Sequence, residues 1–177
     1  MFTEGLSEWT RDKVLELSDE MKKKCAPLVD KLGVESGIAQ ELNGPITSLD
    51  KLGEESADTH MLLVMSRAVD GGPVGFIKYG VKNLFFYSKR GVVKELSCTC
   101  VLDFYVSTVL QRSGIGGELF RAMLDRIKLH PNTLAYDRPS PKLIAFLSKQ
   151  YGLVNSDLQP NRFAIFPATF MDGCLND

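Results

Sequence analysis

The residue types best suited to chemistry sit in the second half of the chain. Gln111-Arg112-Ser113-Gly114-Ile115-Gly116-Gly117 stands between an apolar run and an amphipathic segment. With a strand before it and a helix after it, this turn gathers the unpaired N–H groups of a helix's first turn at the positive end of the helix dipole. Glycines let backbone approach a ligand closely, and Arg112 adds a permanent cation whose fork geometry fits phosphate. The chemistry suggested is the grip of a pyrophosphate; the alternative is a glycine-rich helix start with no ligand. A dinucleotide fingerprint would need glycine where Leu119 stands, and no G-x-x-x-x-G-K-[ST] motif occurs.

Asp137 closes a predicted strand over 134–136 and precedes Ser140-Pro141, an N-cap followed by a first-turn proline. A carboxylate at the carboxyl end of a strand is placed to take a proton. Its structural alternative is an Asx turn or an ion pair with Arg138. Cys100 shares a strand face with Cys98 and is either a thiol that relays a proton or a small buried apolar residue. With two histidines in the whole chain and no second cysteine pair nearby, no metal is expected there. Asp103 falls on the face opposite Cys100 in a regular strand, where it anchors a loop or caps a backbone group. Lys142 and Lys149, seven residues apart, share a helix face that either reaches phosphates or is simply solvated. Gln40 is a surface amide by position alone, Lys22-Lys23-Lys24 reads as a solvated run, and neither His60 nor His130 receives a reaction role.

The elements that must hold these residues follow from periodicity. A short apolar piece at 14–17 precedes a helical pattern in which Pro27 fits the first turn, ending at Asn43-Gly44-Pro45. Strand patterns follow at 60–68, 74–81, 84–88 and 92–106, with turns at 70–73 and 89–91. Then come a helix over 118–128, the strand 134–136, a helix after Ser140 and a strand over 162–166. An antiparallel meander running into strand, helix, strand, helix, strand predicts an α/β (α+β) fold, a mixed sheet with helices packed on it. The 177 residues, 44% of them hydrophobic, suit one domain over 1–177. Basic and acidic residues nearly cancel, 21 against 22, so the electrostatic footprint of a nucleic-acid binder is missing. No run of apolar residues suits a membrane span, and four unevenly spaced cysteines suit a reducing compartment. A soluble cytoplasmic chain is the expectation.

Gln111-x-x-Gly114-x-Gly116 after a strand resembles the acyl-coenzyme A pyrophosphate loop of the GNAT acetyltransferase superfamily. A narrower likeness rests on Cys100-Val-Leu-Asp103-Phe104-Tyr105-Val106, Gln111 to Phe120, and Asp137-Arg138-Pro139-Ser140, in order. Ala39-Gln40 and Gly44-Pro45-Ile46-Thr47-Ser48 upstream, and Asn161 to Phe166 downstream, extend it over roughly 27–170. These blocks resemble the catalytic domain of the α-tubulin N-acetyltransferase family. Ser107-Thr108-Val109 departs from the family's usual His-Glu-Ser, and Pro141 from its usual glutamine.

The resemblance implies a GNAT-like, mostly antiparallel sheet and transfer of acetyl from acetyl-CoA to a luminal loop lysine of α-tubulin in assembled microtubules. It implies a place on the microtubule cytoskeleton, in the cytoplasm or in a cilium or flagellum, while the charge balance and the lack of an apolar run leave no nucleic-acid or membrane partner expected. It further implies Asp137, Cys100 and Gln40 as catalytic residues. For the coenzyme it implies Phe104, Tyr105, Val106, the run from Gln111 to Gly117, Ser140, Lys142 and Lys149. A free lysine titrates near 10.4, so about one in 2,500 is the neutral nucleophile at pH 7, a deficit of roughly 4 to 5 kcal/mol that a proton acceptor must meet. Alternatives are a GNAT enzyme with another protein or small-amine acceptor, or a non-catalytic microtubule-binding module.

Overall fold

The computed structural model describes residues 4–55, 60–67, 72–88 and 91–166. Residues 70, 71, 89 and 90 of the two predicted turns, and Cys174, lie outside them. Among the described residues seven strands pair in the order β1-β2-β3-β4-β5-β7-β6: β1 Gly5–Thr10, β2 His60–Arg67, β3 Gly72–Tyr87, β4 Val93–Val106, β5 Ala135–Asp137, β6 Asp157–Leu158 and β7 Phe163–Ile165. The helices are α1 Arg11–Leu15, α2 Asp19–Ala39, α3 Leu49–Gly53, α4 Ile115–Ile127 and α5 Pro141–Tyr151. The short β2–β3 and β3–β4 connections leave no room for a crossover, so these neighbours are antiparallel, whereas β4 and β5, joined through α4, run parallel. This is the mixed, mostly antiparallel sheet with helices that the sequence leads one to expect. Among the described residues no helix is long and apolar enough to cross a membrane.

The chain gathers into two units, Met1–Tyr79 with Asp103–Arg126, and Gly80–Leu102 with Ile127–Asp177. In the first, Val29 and Leu32 of α2, Leu49 and Leu52 of α3, Leu62 and Val64 of β2, Phe76 of β3 and Tyr105 of β4 form the core, with Trp9 of β1 against its edge. Here β2 is buried on both faces, which is why 62–65 reads as an unbroken apolar run. In the second unit the core is Leu84 and Phe86 of β3, Cys98, Cys100 and Leu102 of β4, Ala135 of β5, and Phe163 and Ile165 of β7. Leu84 and Phe86 are buried while Phe85 and Tyr87 are exposed, so this part of β3 is covered on one face only.

Three expectations change. The strands expected at 74–81 and 84–88 are one strand, because the switch from continuous to alternating burial near Lys82 and Asn83 mimics a break. Pro27 is not in a first turn. Ser18 caps α2, its Oγ accepting from the Met21 N–H at 3.3 Å, and Pro27 lies inside the helix. An interior proline costs about 3 kcal/mol. Pro27 faces solvent, where the carbonyl it leaves without a partner can be hydrated, and the burial of Cys25, Val29 and Leu32 on the other side offsets the loss. The same helix stops at Ala39 rather than near Asn43. Glu41 N–H donates to the Ile38 carbonyl at 3.1 Å and Leu42 N–H to the Gly37 carbonyl at 2.9 Å, a Schellman closure with Glu41 at φ 56° in the position that glycine usually takes.

That closure turns the chain back along α2, and two glycines make room for it. A Cβ added at Gly33 would lie 1.9 Å from the Thr47 carbonyl oxygen, and one at Gly37 3.2 Å from that of Gly44. The 44–47 segment therefore rests directly on the helix backbone. Gly33→Ala is expected to destabilise the protein by at least about 2 kcal/mol through overpacking, a drop of roughly 5 °C or more in thermal unfolding followed by circular dichroism. Gly44→Ala, whose Cβ would meet nothing within 4 Å, should leave the midpoint within about 1 °C.

Candidate active site

The first unit holds the glycine turn and the end of β4. Gly75 of β3 lets β4 pass at minimum distance, since a Cβ there would be 2.9 Å from the Tyr105 carbonyl. Tyr105 and Val106 are buried, with Tyr105 turned into the core, its ring centroid 6.4 Å from that of Phe76 and its hydroxyl donating to Glu35 at 3.3 Å. Phe104 packs on Phe120 of α4, centroids 6.0 Å apart. After Val106 the chain makes a 3-10 turn over Thr108–Leu110, so the Ser107-Thr108-Val109 departure forms a local turn with Val109 exposed. Gln111 reaches back, its Nε2 donating to the Val106 carbonyl at 3.0 Å. Arg112 takes φ 67° and Gly114 φ 98°, and α4 begins at Ile115.

Among the described residues four helices start on a hydroxyl that accepts an N–H of the first turn: Thr10, Ser18, Ser48 and Ser140. Helix α4 starts on Gly114, which has no side chain to do this. The N–H groups of Ile115, Gly116 and Gly117 have no acceptor one turn back, the first intrahelical bond there being Glu118 N–H to the Gly114 carbonyl at 3.0 Å. With Arg112 exposed beside them, these groups fit an external anion. A Cβ at Gly116 would press on the Phe104 ring at 3.3 Å, whereas one at Gly117 would meet nothing within 4 Å. Ile115 is buried, which leaves its backbone N–H as the group it can offer.

Gln40, the C-cap of α2, is in the same unit, and it is more than the surface amide its position suggests. Its Nε2 donates to Ser36 Oγ at 2.8 Å and to Asp103 Oδ1 at 2.9 Å. Asp103 is only 4% exposed and accepts also from Ser36 Oγ at 2.8 Å and, on Oδ2, from Thr47 Oγ1 at 2.6 Å. Burial pushes the Asp103 carboxyl up from its ordinary value, while the donors from Thr47, Ser36, Gln40 and the Phe104 backbone pull it part of the way back. Ser36 and Thr47 escape a reading of the sequence for chemistry. The signal that could have found Ser36 is the small-residue stripe Gly33, Ser36, Gly37 leading to Gln40 at helical spacing; no such pattern marks Thr47.

The second unit holds Cys98, Cys100 and Asp137. The parallel register sets Cys100 opposite Ala135 and Val101 opposite Tyr136, and Asp137 ends β5. The two sulfurs lie 3.7 Å apart on one face, both buried. The neighbouring thiol, burial and the Asp137 carboxylate all push the Cys100 thiol far above its ordinary value, so it keeps its proton at neutral pH. Asp137 Oδ1 lies 3.6 Å from Arg138 Nε, the ion pair the sequence allows, and its side chain remains 22% exposed. Arg138 sits at φ 40°, held by its N–H to the Arg162 carbonyl at 3.0 Å, which turns the chain sharply after Asp137. Ser140 Oγ caps α5 by accepting from the Leu143 N–H at 3.2 Å, and its hydroxyl hydrogen is still available to donate. Lys142 and Lys149 are exposed on α5. Among the described residues no group of three His, Cys, Asp or Glu side chains could hold a metal ion.

The model of the family described as GNAT acetyltransferase, Mec-17 matches residues 2–177. The chain belongs to that family. An alpha-tubulin N-acetyltransferase of Phytophthora infestans is 43% identical over 90% of this chain and 90% of its own length. Alpha-tubulin N-acetyltransferase 1 of Danio rerio is 45% identical over 81% of this chain, and the Tetrahymena thermophila enzyme 41% over 91%. The match spans only 48% and 38% of those two relatives. Among solved structures, the xEco2 acetyltransferase domain bound to a CoA conjugate superposes with TM-score 0.55 at 12% identity, covering 93% of each chain. Glucosamine-6-phosphate N-acetyltransferase of Arabidopsis thaliana gives TM-score 0.53 at 13% identity over 88% of this chain and 96% of that one. At such identities these likenesses establish the GNAT fold.

Asp103 makes a testable contribution to stability. Its folded value is raised, so the folded state holds this proton more tightly than the unfolded chain; the associated stability is complete below the ordinary carboxylate range and is lost as pH rises through the folded value. In urea unfolding between pH 4 and pH 7, the stability of the wild type relative to Asp103→Asn should fall as pH rises. A difference that stays flat, or grows, contradicts the burial argument.

Proposed function

We propose that this chain transfers acetyl from acetyl-CoA to the side-chain amine of a lysine in α-tubulin, by direct attack of the amine on the thioester. The observation that carries this reading is the family match over 2–177 together with the 43% identity to an alpha-tubulin N-acetyltransferase across nine tenths of both chains. The luminal loop lysine and the assembled microtubule are the finer form of the substrate, and association with cytoplasmic microtubules follows from it.

The residues support a division of labour. The pyrophosphate is held by the backbone N–H groups of Ile115, Gly116 and Gly117, made available because Gly114 supplies no cap, and by the Arg112 guanidinium, while the Ser113 N–H is given to the Leu110 carbonyl at 3.4 Å and secures the turn. Gln111 secures the turn through the Val106 carbonyl. Phe104, Tyr105 and Val106 contribute backbone to the pantetheine arm, since the Tyr105 side chain is committed to the core. Ser140, Lys142 and Lys149 serve the outer phosphates. Asp137 accepts the lysine proton, directly or through water, which meets the protonation deficit of the amine. Cys100, held as a neutral thiol by the neighbouring Cys98 and by burial, is unsuited to form an acyl-enzyme; it serves as a proton-bearing neighbour of Asp137. Gln40 offers its amide oxygen to the lysine.

Incubation with labelled acetyl-CoA and assembled microtubules should label α-tubulin, and labelling of unrelated amines at equal rates would refute the substrate assignment. Asp137→Asn should lower kcat by about 100-fold or more, within the range of general-base catalysis, with acetyl-CoA affinity unchanged. Arg112→Ala should weaken acetyl-CoA binding by about tenfold or more, as loss of a charge-assisted contact does, with kcat at saturation retained. Isothermal titration and steady-state kinetics separate the two effects.

A further inference from the structure

We propose that Asp103 is a positioning residue for the acceptor lysine, acting through Gln40 by fixing which end of its amide faces outward. The inference rests on the reading that Gln40 meets the lysine. Asp103 accepts from Ser36 and Thr47, so the face it turns to Gln40 is an acceptor oxygen. Asp103 therefore draws the Gln40 NH2 inward, where Nε2 donates to Asp103 Oδ1 at 2.9 Å and to Ser36 Oγ at 2.8 Å. Ser36 can accept from Gln40 because its own hydroxyl hydrogen is donated to Asp103 Oδ1 at 2.8 Å, and Thr47 completes the shell on Oδ2 at 2.6 Å. The nitrogen end of the amide is thereby held inward. The Gln40 Oε1 is hydrogen-bonded to nothing and is not a buried orphan among the described residues.

The orientation matters chemically. An outward oxygen accepts an N–H from the neutral amine and leaves the nitrogen lone pair free to attack. An outward NH2 would donate into that lone pair and quench the nucleophile, and it would also repel the ammonium form as it arrives. A glutamine attached to solvent alone would sample both orientations, whereas the buried carboxylate selects one. Asp103 thus governs turnover without touching the substrate.

The test is a double-mutant cycle on kcat and KM with microtubules. Asp103→Asn places a donor against Gln40 and lets its amide turn over, so kcat should fall about 10- to 100-fold, the worth of a hydrogen bond to a charged group, while acetyl-CoA affinity is unchanged. Gln40→Glu alone should also fail, because two carboxylates would then face each other. Gln40→Glu combined with Asp103→Asn should recover to within about fivefold of wild type. In that double variant the carboxylate at position 40 accepts from the amide at position 103 with one oxygen and turns the other outward.

Losses that simply add, with the double variant worse than Asp103→Asn, would overturn the proposal, as would an Asp103→Asn enzyme with unchanged kcat. Should Asp103→Asn not fold, Ser36→Ala gives a second route: it removes one acceptor of the Gln40 amide and should cost severalfold in kcat. That cost must vanish in a Gln40→Ala background if it acts through Gln40, and its persistence there would overturn the proposal. A wild type that leaves α-tubulin unlabelled refutes the substrate reading instead, before any variant is compared.

Discussion

The constraint that shapes the first unit is a carboxylate placed where water cannot solvate it. Burying a charge is costly unless every lone pair finds a donor. Asp103 finds Ser36, Gln40, Thr47 and the Phe104 backbone. Each partner imposes a condition on the fold. Helix α2 must stop at Ala39 for Gln40 to bend inward, and it must be bare at Gly33 and Gly37 for the 44–47 segment to carry Thr47 onto it. The abrupt helix end and the glycine stripe of this region bring Gln40 and Thr47 to that one carboxylate.

The glycine turn follows a complementary logic. Where Asp103 is supplied with donors from within the protein, the start of α4 keeps its donors uncommitted. The contrast with the four hydroxyl-capped helices is a difference of one side chain, and it converts an ordinary helix start into a place for an anion. Gly75 and Gly116 serve a different purpose, letting β4 and α4 lie close enough for Val106 and Gln111 to lock the turn from behind.

Much of this was legible in the residue order because the signals are local. The turn at 111–117, the amphipathic stretch that follows it, the Ser140 cap and the short strand before it all announce themselves within a dozen residues. The start of α2 was equally local, in Ser18 followed by Asp19 and Glu20, but Pro27 is a louder mark and draws the boundary to itself. Strand β1 is hidden because GLSEWT lacks the β-branched alternation of a strand, and its place is set by pairing with β2, more than fifty residues away. The helical stripe could mark Ser36 and Gln40 as sharing a face, but their convergence with Thr47 on Asp103 was out of reach for the same reason. Its side-chain partners lie 56 to 67 residues from it, and no periodicity within a helix or strand records a contact of that span.

Glu41 carries a further implication for the evolution of the molecule. A side chain with a Cβ held at φ 56° bears a conformational penalty of about 1 kcal/mol relative to glycine, at a helix end where glycine is the common choice. The strain lies one residue beyond Gln40, on the surface, and outside every hydrogen bond around Asp103. The chain thus holds an untapped thermodynamic reserve beside its candidate active site, from which costlier changes elsewhere could be tolerated without disturbing the chemistry.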